Sequence, residues 1–168
     1  MASAAYSDAP QLCVKDNFDN STVTGHSLGA AMASVCAGYI SALQYFSPDK
    51  IKLVTYGQPR VGDLAYATYI DQTIPYAYRV VHAFDMVPHV PLYGDNIGAI
   101  QNYTHHKSEV WYENDMVLGK PYVECDQNEG KNCSDQLEKL GLLDTNVLDH
   151  LWYFNVLADY AYFGCKRN

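Results

Sequence analysis

The strongest constraint on the fold is the pentapeptide Gly25-His26-Ser27-Leu28-Gly29, which lies between a short β-branched stretch and a long apolar pattern. A serine with a glycine two residues to either side fits a sharp turn from strand to helix, because the glycines let the two backbones approach closely. Such a turn exposes the serine hydroxyl beyond the end of the strand. The pentapeptide therefore predicts Ser27 as a nucleophile, with the backbone N–H of Leu28 directed at a developing oxyanion at the positive end of the helix.

Strand and helix patterns alternate along the chain. We predict strands over 22–25, 51–57, 78–84, 108–112 and 121–125. Helices are predicted from Leu28 to near Ser47-Pro48, over 61–72 and over 146–163. In the first helix we expect the spaced apolar residues to face the core, and these are Leu28, Met32, Val35, Cys36, Tyr39, Ile40 and Leu43. The alternation predicts an α/β fold, with a predominantly parallel sheet flanked by helices in a single domain over residues 1–168.

Charge and hydropathy argue against a nucleic-acid partner and against a membrane-spanning segment. The net charge is -8, and the 11 Lys and Arg residues are scattered, so the chain lacks the clustered cations that bind a phosphate backbone. No apolar run reaches the roughly 18 residues that a membrane-spanning helix needs. We therefore expect neither nucleic acid as a partner nor a transmembrane segment.

The 5 cysteines are an odd number, and none of them forms the Cys-x-x-Cys pair that is typical of zinc or redox sites. Cys125 and Cys133 flank a polar loop that a local disulfide could close, and Cys13 and Cys165 lie near the two ends, where a bridge would restrain both termini. We expect Cys36 to be a free, buried thiol and expect no metal site.

Three N-glycosylation sequons favour an extracellular protein, and they begin at Asn20, Asn102 and Asn132. The opening MASAAYSDAP has neither the basic nor the apolar region of a secretory signal. With the disulfide candidates, the sequons nevertheless favour a secreted, glycosylated protein.

A serine nucleophile needs an imidazole base and a carboxylate that orients it. At a strand-turn-helix site the acid and then the base follow the serine in the chain, which excludes His26 and His82 as bases. Asp85 directly follows the predicted strand 78–84, at the sheet edge where α/β sites lie, whereas Asp63 is typical of a carboxylate at a helix N-terminus. The histidines left as candidate bases are His89, His105, His106 and His150.

Five ordered blocks of the sequence resemble the class 3, or fungal-type, triacylglycerol lipases, which have the α/β-hydrolase fold. The blocks are VTGHSLGAAMAS (23–34), LVTYGQPRVGD (53–63), RVVHAFDMVPHVP (79–91), HHKSEVWY (105–112) and DHLWYF (149–154). The resemblance implies that Ser27 is the nucleophile, Asp85 the acid and His150 the base, with no cofactor. It also implies secretion and a disulfide between Cys13 and Cys165.

The sequence departs from this family before the pentapeptide. We call the turn at residues 25–29 the elbow. In the family, a long segment between an opening like YSDAPQLC and the elbow contains strands, a second oxyanion donor and a lid. This chain has only VKDNFDNS there. We therefore expect a domain truncated on its N-terminal side, with apolar surface exposed beside the elbow strand. Loss of one oxyanion donor costs about 10²–10³ in rate.

Three hypotheses follow for the function. The first is a serine carboxylic-ester hydrolase that acts on acylglycerols or other esters, including those at a lipid-water interface, through an acyl-enzyme on Ser27. The second is a soluble-ester or feruloyl-type esterase on the same fold. The third is a non-catalytic product that keeps the triad residues without assembling the site.

Overall fold

The computed structural model describes residues 19–93, 102–140 and 145–157. Its main sheet has five strands in the order β1-β2-β3-β4-β5, which are Ser21–His26, Ile51–Tyr56, Tyr76–His82, Glu109–Tyr112 and Val123–Cys125. The first four strands are parallel, and β5 is antiparallel to β4. The predicted α/β architecture with a predominantly parallel sheet is thus confirmed.

Two helices pack on one face of this sheet. Helix α1 (Leu28–Ala42) joins β1 to β2, and α2 (Leu64–Thr73) joins β2 to β3. The main apolar core lies between these helices and the sheet, and its members include Ala33, Ala37, Ile40, Leu53, Ile70 and Ile74. Short 3₁₀ turns occupy Pro48–Lys50, Val87–His89 and Ser134–Leu140. No helix in the described ranges is long and apolar enough to cross a bilayer.

The predicted terminal helix over 146–163 is wrong in its described part. Helix α3 (Val147–Leu151) has 5 residues, and it is followed by the hairpin of β6 (Trp152–Tyr153) and β7 (Val156–Leu157). Phe154 and Asn155 form the turn of this hairpin with φ of 50° and 60°, as the tight turns that match strand twist require. Residues 158–163 and the proposed Cys13–Cys165 bridge lie outside the described residues.

Helix α1 presents its small residues, not its large ones, to the core. The buried positions are Ala30, Ala33, Ser34, Ala37, Gly38 and Ile40. Most of the large apolar residues expected inside face outward with 44–71% of their surface exposed, and we call the set of Leu28, Met32, Val35, Tyr39 and Leu43 the α1 stripe. Cys36 is a free but exposed cysteine, so the prediction of a buried thiol is wrong.

Close approach of helix and strand explains this reversal. A Cβ atom added at Gly25 would collide with the backbone of Gly29, so α1 lies too near β1 for large side chains to fit between them. Among the described strands, β1 pairs with β2 alone and forms the edge of the sheet. The apolar surface expected beside the elbow strand is therefore present.

Beyond β3 the core contains a disulfide and a buried ion pair. Cys125 and Cys133 are bonded as predicted, 6.2 Å apart between Cα atoms. Glu109 is buried and lies 3.3 Å from the equally buried guanidinium of Arg79. A buried carboxylate needs such a partner, because an unpaired charge in the interior is strongly unfavourable.

Candidate active site

Ser27 lies in the turn between β1 and α1, at the carboxyl edge of the parallel strands. Its φ of 60° and ψ of -131° fall in a region that residues other than glycine rarely adopt. The Ser27 N–H donates to the Tyr56 carbonyl of β2 at 3.0 Å, which anchors the strained residue to the sheet. Leu28 is the first residue of α1, so its N–H has no partner within the helix and remains available to an anion.

Asp85 and His150 meet at the same edge. The turn after β3 brings Asp85 to a fully buried position, where its Oδ2 accepts a hydrogen bond from His150 Nδ1 at 2.9 Å. Its Oδ1 accepts from the Val87 N–H at 2.8 Å. Because Nδ1 faces the carboxylate, the imidazole has its Nε2 available to take a proton.

Helix α3, which carries His150, is held against the turn after β3 by two hydrogen bonds. The Asn146 N–H donates to the Phe84 carbonyl at 2.9 Å, and the Phe84 N–H donates to the Asp149 carboxylate at 3.0 Å. Asn146 also caps α3, because its side chain accepts from the Asp149 N–H at 2.7 Å. His150 is thus presented by a short helix that is hydrogen-bonded to the residue next to Asp85.

Gly57 leaves the space in which this pair sits. It follows β2 with a φ of 55°, and a Cβ atom there would lie 2.7 Å from Asp85 Oδ2 and 2.9 Å from His150 Nδ1. Both distances are shorter than ordinary van der Waals contact. Only glycine therefore fits beside Asp85 and His150.

Tyr153 is a site residue that the sequence interpretation missed. Its hydroxyl donates to Asp85 Oδ2 at 2.6 Å and accepts from the His82 N–H at 3.2 Å. Burial, and then the charge of Asp85, raises the pKa of Tyr153 well above its usual value. The hydroxyl therefore stays protonated and donates a hydrogen bond to the carboxylate. The inward orientation of Tyr153 depends on strand alternation, which the prediction of a continuous helix did not include.

The rival candidates lie elsewhere. Asp63 caps α2, where its side chain accepts from the Tyr66 N–H at 2.9 Å. His89 is buried with its Nδ1 3.7 Å from the Asp135 carboxylate. Neither residue contacts Ser27, Asp85 or His150 among the described contacts.

His105 and His106 are buried structural residues. His105 Nε2 lies 2.8 Å from the Pro88 carbonyl, and His106 Nδ1 lies 3.0 Å from the Lys107 carbonyl. Burial, with the nearby charge of Arg79, lowers the pKa of His105 well below 6.5 and lowers the pKa of His106 to about 3. Both are neutral at ordinary pH and lie away from the elbow.

The structure brings Asp85 and His150 together and places Ser27 on the neighbouring strand end. The hydrogen bonds among the described residues include none from the Ser27 hydroxyl to His150. Hydrogen bonds of this kind are often long in the absence of substrate and shorten when it binds. The link between the two residues runs instead through His26, whose ring stacks on that of His150 with centroids 4.5 Å apart.

Comparison with known proteins agrees with this arrangement. Residues 13–94 match the model of the family described as Lipase (class 3). A lipase of Caenorhabditis elegans is 39% identical over an alignment that covers 85% of this chain and 46% of that protein. A secreted mono- and diacylglycerol lipase of Fusarium solani is 32% identical over 139 residues, covering 83% of this chain and 38% of that protein.

A solved triacylglycerol lipase, whose catalytic centre is reported as a serine protease triad, has the same fold. It superposes with a TM-score of 0.67 at 36% identity over 82% of this chain and 48% of that structure. This chain spans less than half the length of each of these relatives. With the α/β-hydrolase sheet, the elbow and these matches in agreement, the chain is similar to the class 3 lipases over most of its length and matches the model of that family over residues 13–94.

Proposed function

We propose that this chain carries the catalytic residues of a carboxylic-ester hydrolase of the triacylglycerol lipase type, with Ser27 as nucleophile, His150 as base and Asp85 as the orienting acid. The observation that carries the proposal is the 2.9 Å hydrogen bond between Asp85 and His150 at the strand edge that also presents Ser27. The matches to lipases support the same reaction class.

The mechanism follows from this geometry. His150 Nε2 takes the proton of the Ser27 hydroxyl as its oxygen attacks the ester carbonyl, and the Leu28 N–H stabilises the resulting oxyanion. Collapse of this intermediate breaks the ester bond, and the leaving alkoxide receives the proton from His150 to depart as the alcohol. Water then attacks the acyl-enzyme with His150 again as base, and His150 returns the proton to the Ser27 oxygen as the carboxylic acid is released. Asp85 stabilises the imidazolium in both steps.

Acylglycerols are the substrates that the surface beside Ser27 favours. The α1 stripe begins at Leu28, the residue after the nucleophile, and Leu28 is 71% exposed. An acyl chain or a lipid-water interface could cover such apolar surface. We extend the proposal to an extracellular location, since one matched relative is described as a secreted acylglycerol lipase.

Hydrolysis of p-nitrophenyl esters by the purified chain tests the proposal. Short-chain and long-chain esters are compared, the latter in emulsion, with Ser27→Ala as the inactive variant and the exposed Ser47→Ala as the matched control. We expect preference for the long-chain ester, loss of hydrolysis in Ser27→Ala and full activity in Ser47→Ala. Hydrolysis that survives in Ser27→Ala contradicts the nucleophile assignment. Activity confined to soluble short esters supports the esterase alternative, and a folded but inactive wild type supports the non-catalytic one.

A further inference from the structure

His26 makes two contacts with His150 although it was excluded as a base. Its Nε2 lies 2.8 Å from the His150 carbonyl oxygen. Its ring also stacks on the His150 ring, with centroids 4.5 Å apart and 27° between the planes. The Tyr153 ring makes an edge contact with the His26 ring, with centroids 5.4 Å apart.

The position of His26 in the chain makes these contacts informative. His26 is the last residue of β1 and is bonded covalently to Ser27, which itself is anchored to β2 through the Tyr56 carbonyl. The other hydrogen bonds that hold His150 and its helix come from His82 at the end of β3 and from the turn after that strand. His26 thus joins the strand that carries the hydroxyl to the segment that carries the imidazole.

We propose that His26 is a positioning residue, which sets the distance between the His150 imidazole and the Ser27 hydroxyl by donating a hydrogen bond from Nε2 to the His150 carbonyl. The proposal rests on the function proposed above. His26 itself transfers no proton to substrate, because its Nε2 is occupied by this backbone bond. Its effect is on the geometry in which the proton of Ser27 is transferred to His150.

The electrostatic surroundings of His26 keep it suited to this role. A carbonyl oxygen can only accept, so the hydrogen bond requires the proton on His26 Nε2. Burial lowers the pKa of His26, and the charge of His150 lowers it further, whereas the hydrogen bond to the His150 backbone and the carboxylate of Asp85 act in the opposite direction without reversing the shift. The ring is therefore neutral at neutral pH, and no second positive charge opposes the imidazolium that forms on His150 during catalysis.

Two substitutions separate the hydrogen bond from the stacking. His26→Phe keeps an aromatic ring against His150 and removes the donor, whereas His26→Gln removes the ring and keeps an N–H donor at a comparable reach. Thr24→Val is the matched control, because Thr24 is exposed on the same strand two residues earlier. Steady-state kinetics, thermal unfolding and the low-field NMR resonance of the His150 Nδ1 proton are measured for each, with Asp85→Asn to assign the resonance.

For His26→Phe we expect kcat to fall about 10- to 100-fold with KM unchanged, as for a misplaced catalytic group. His26→Gln should recover most of kcat, and Thr24→Val should match the wild type. Wild-type kcat in His26→Phe overturns the proposal, and so does an equal loss in both variants that follows a lower unfolding temperature. Absence of hydrolysis in the wild type contradicts the proposed function alone. In that case the NMR arm decides, because a His150 resonance that is unchanged in His26→Phe overturns the positioning role.

Discussion

Asp85 and His150 stand 65 positions apart in the chain, and their side chains are joined by a 2.9 Å hydrogen bond in which the carboxylate is fully buried. The burial is tolerable because donors surround the carboxylate: Val87 N–H binds one oxygen, while the Tyr153 hydroxyl and the imidazole share the other. A buried charge satisfied in this way keeps one orientation, and it imposes that orientation on the imidazole.

Replacement of Asp85 by Asn should reduce kcat about 10⁴-fold, because an amide no longer stabilises the imidazolium and favours the wrong tautomer. The carboxamide is nearly isosteric, so the circular dichroism spectrum should match the wild type. Asp63→Asn is the control, since Asp63 serves only as the cap of α2. A comparable loss of kcat in both variants would contradict the assigned role of Asp85.

Gly57→Ala should disrupt the acid-base pair by sterics alone. The new Cβ would lie within 3 Å of both Asp85 Oδ2 and His150 Nδ1, so these side chains must separate. Gly119→Ala is a close control, because Gly119 also has positive φ, at 88°, but has open space at the Cβ position. Both variants carry about 1 kcal/mol of backbone strain. Only Gly57→Ala should lose at least about 100-fold in kcat, as measured by ester hydrolysis.

Tyr153→Phe removes one donor from the Asp85 carboxylate and leaves the ring in place. We expect a loss of about 1–3 kcal/mol in the free energy of unfolding, because Asp85 Oδ2 loses a short hydrogen bond and the His82 N–H loses its acceptor. Urea denaturation measures the stability, and kcat should fall in parallel as the carboxylate becomes less well fixed. Unchanged stability and unchanged kcat together would show that the Tyr153 hydroxyl has no role at the site.

Ser27→Gly should stabilise the protein while it abolishes catalysis. At φ 60° and ψ -131° a side chain is strained, and glycine relieves this strain by about 1–3 kcal/mol. Ser27→Ala removes the same hydroxyl and keeps the strain, so the thermal unfolding temperature of Ser27→Gly should exceed that of Ser27→Ala. Equal unfolding temperatures would indicate that the elbow relaxes once the hydroxyl is absent.

The buried His106 should make the fold sensitive to acid. Its pKa is about 3 in the folded state and 6.5 in the unfolded chain, so between these values the unfolded chain binds the extra proton. Stability is therefore full above about pH 6.5 and decreases as the pH falls toward 3, by about 2 kcal/mol at pH 5. Urea unfolding at pH 7.5 and 5 measures the change. His106→Gln should reduce the dependence on pH, and an unaltered dependence would assign it to other groups.

The order of strands and helices could be predicted from the sequence because a buried parallel strand and a strand-helix alternation have strong patterns. The orientation of α1 could not be predicted by the same rule. Apolar periodicity placed Met32 and Tyr39 inside, whereas the close approach at Gly25 admits only small side chains such as Ala33 and Ala37. The hydrophobic effect favours burial, but packing distance decides which face is buried.

The end of the chain shows the other limit. Asp85 could be named because it directly follows a strand, whereas His150 was separated from three other histidines only by the resemblance of the block DHLWYF to the lipases. The Tyr153 contact depends on the hairpin that follows, and the left-handed turn at Phe154 and Asn155 is a weak signal within an aromatic run. The chain-order rule tests His26 only as a base, so its contact with the His150 backbone is visible only in the structure.

The edge position of β1 has a consequence for amide hydrogen exchange. In a parallel strand alternate N–H groups point to opposite neighbours, and among the described strands β1 has a neighbour on one side only. Its outward amides can exchange with deuterated water without any opening of the sheet, whereas those of β2 and β3 cannot. The strand that leads to Ser27 is thus the least protected of the parallel strands, and the exchange rates of its outward amides would report anything that covers this edge.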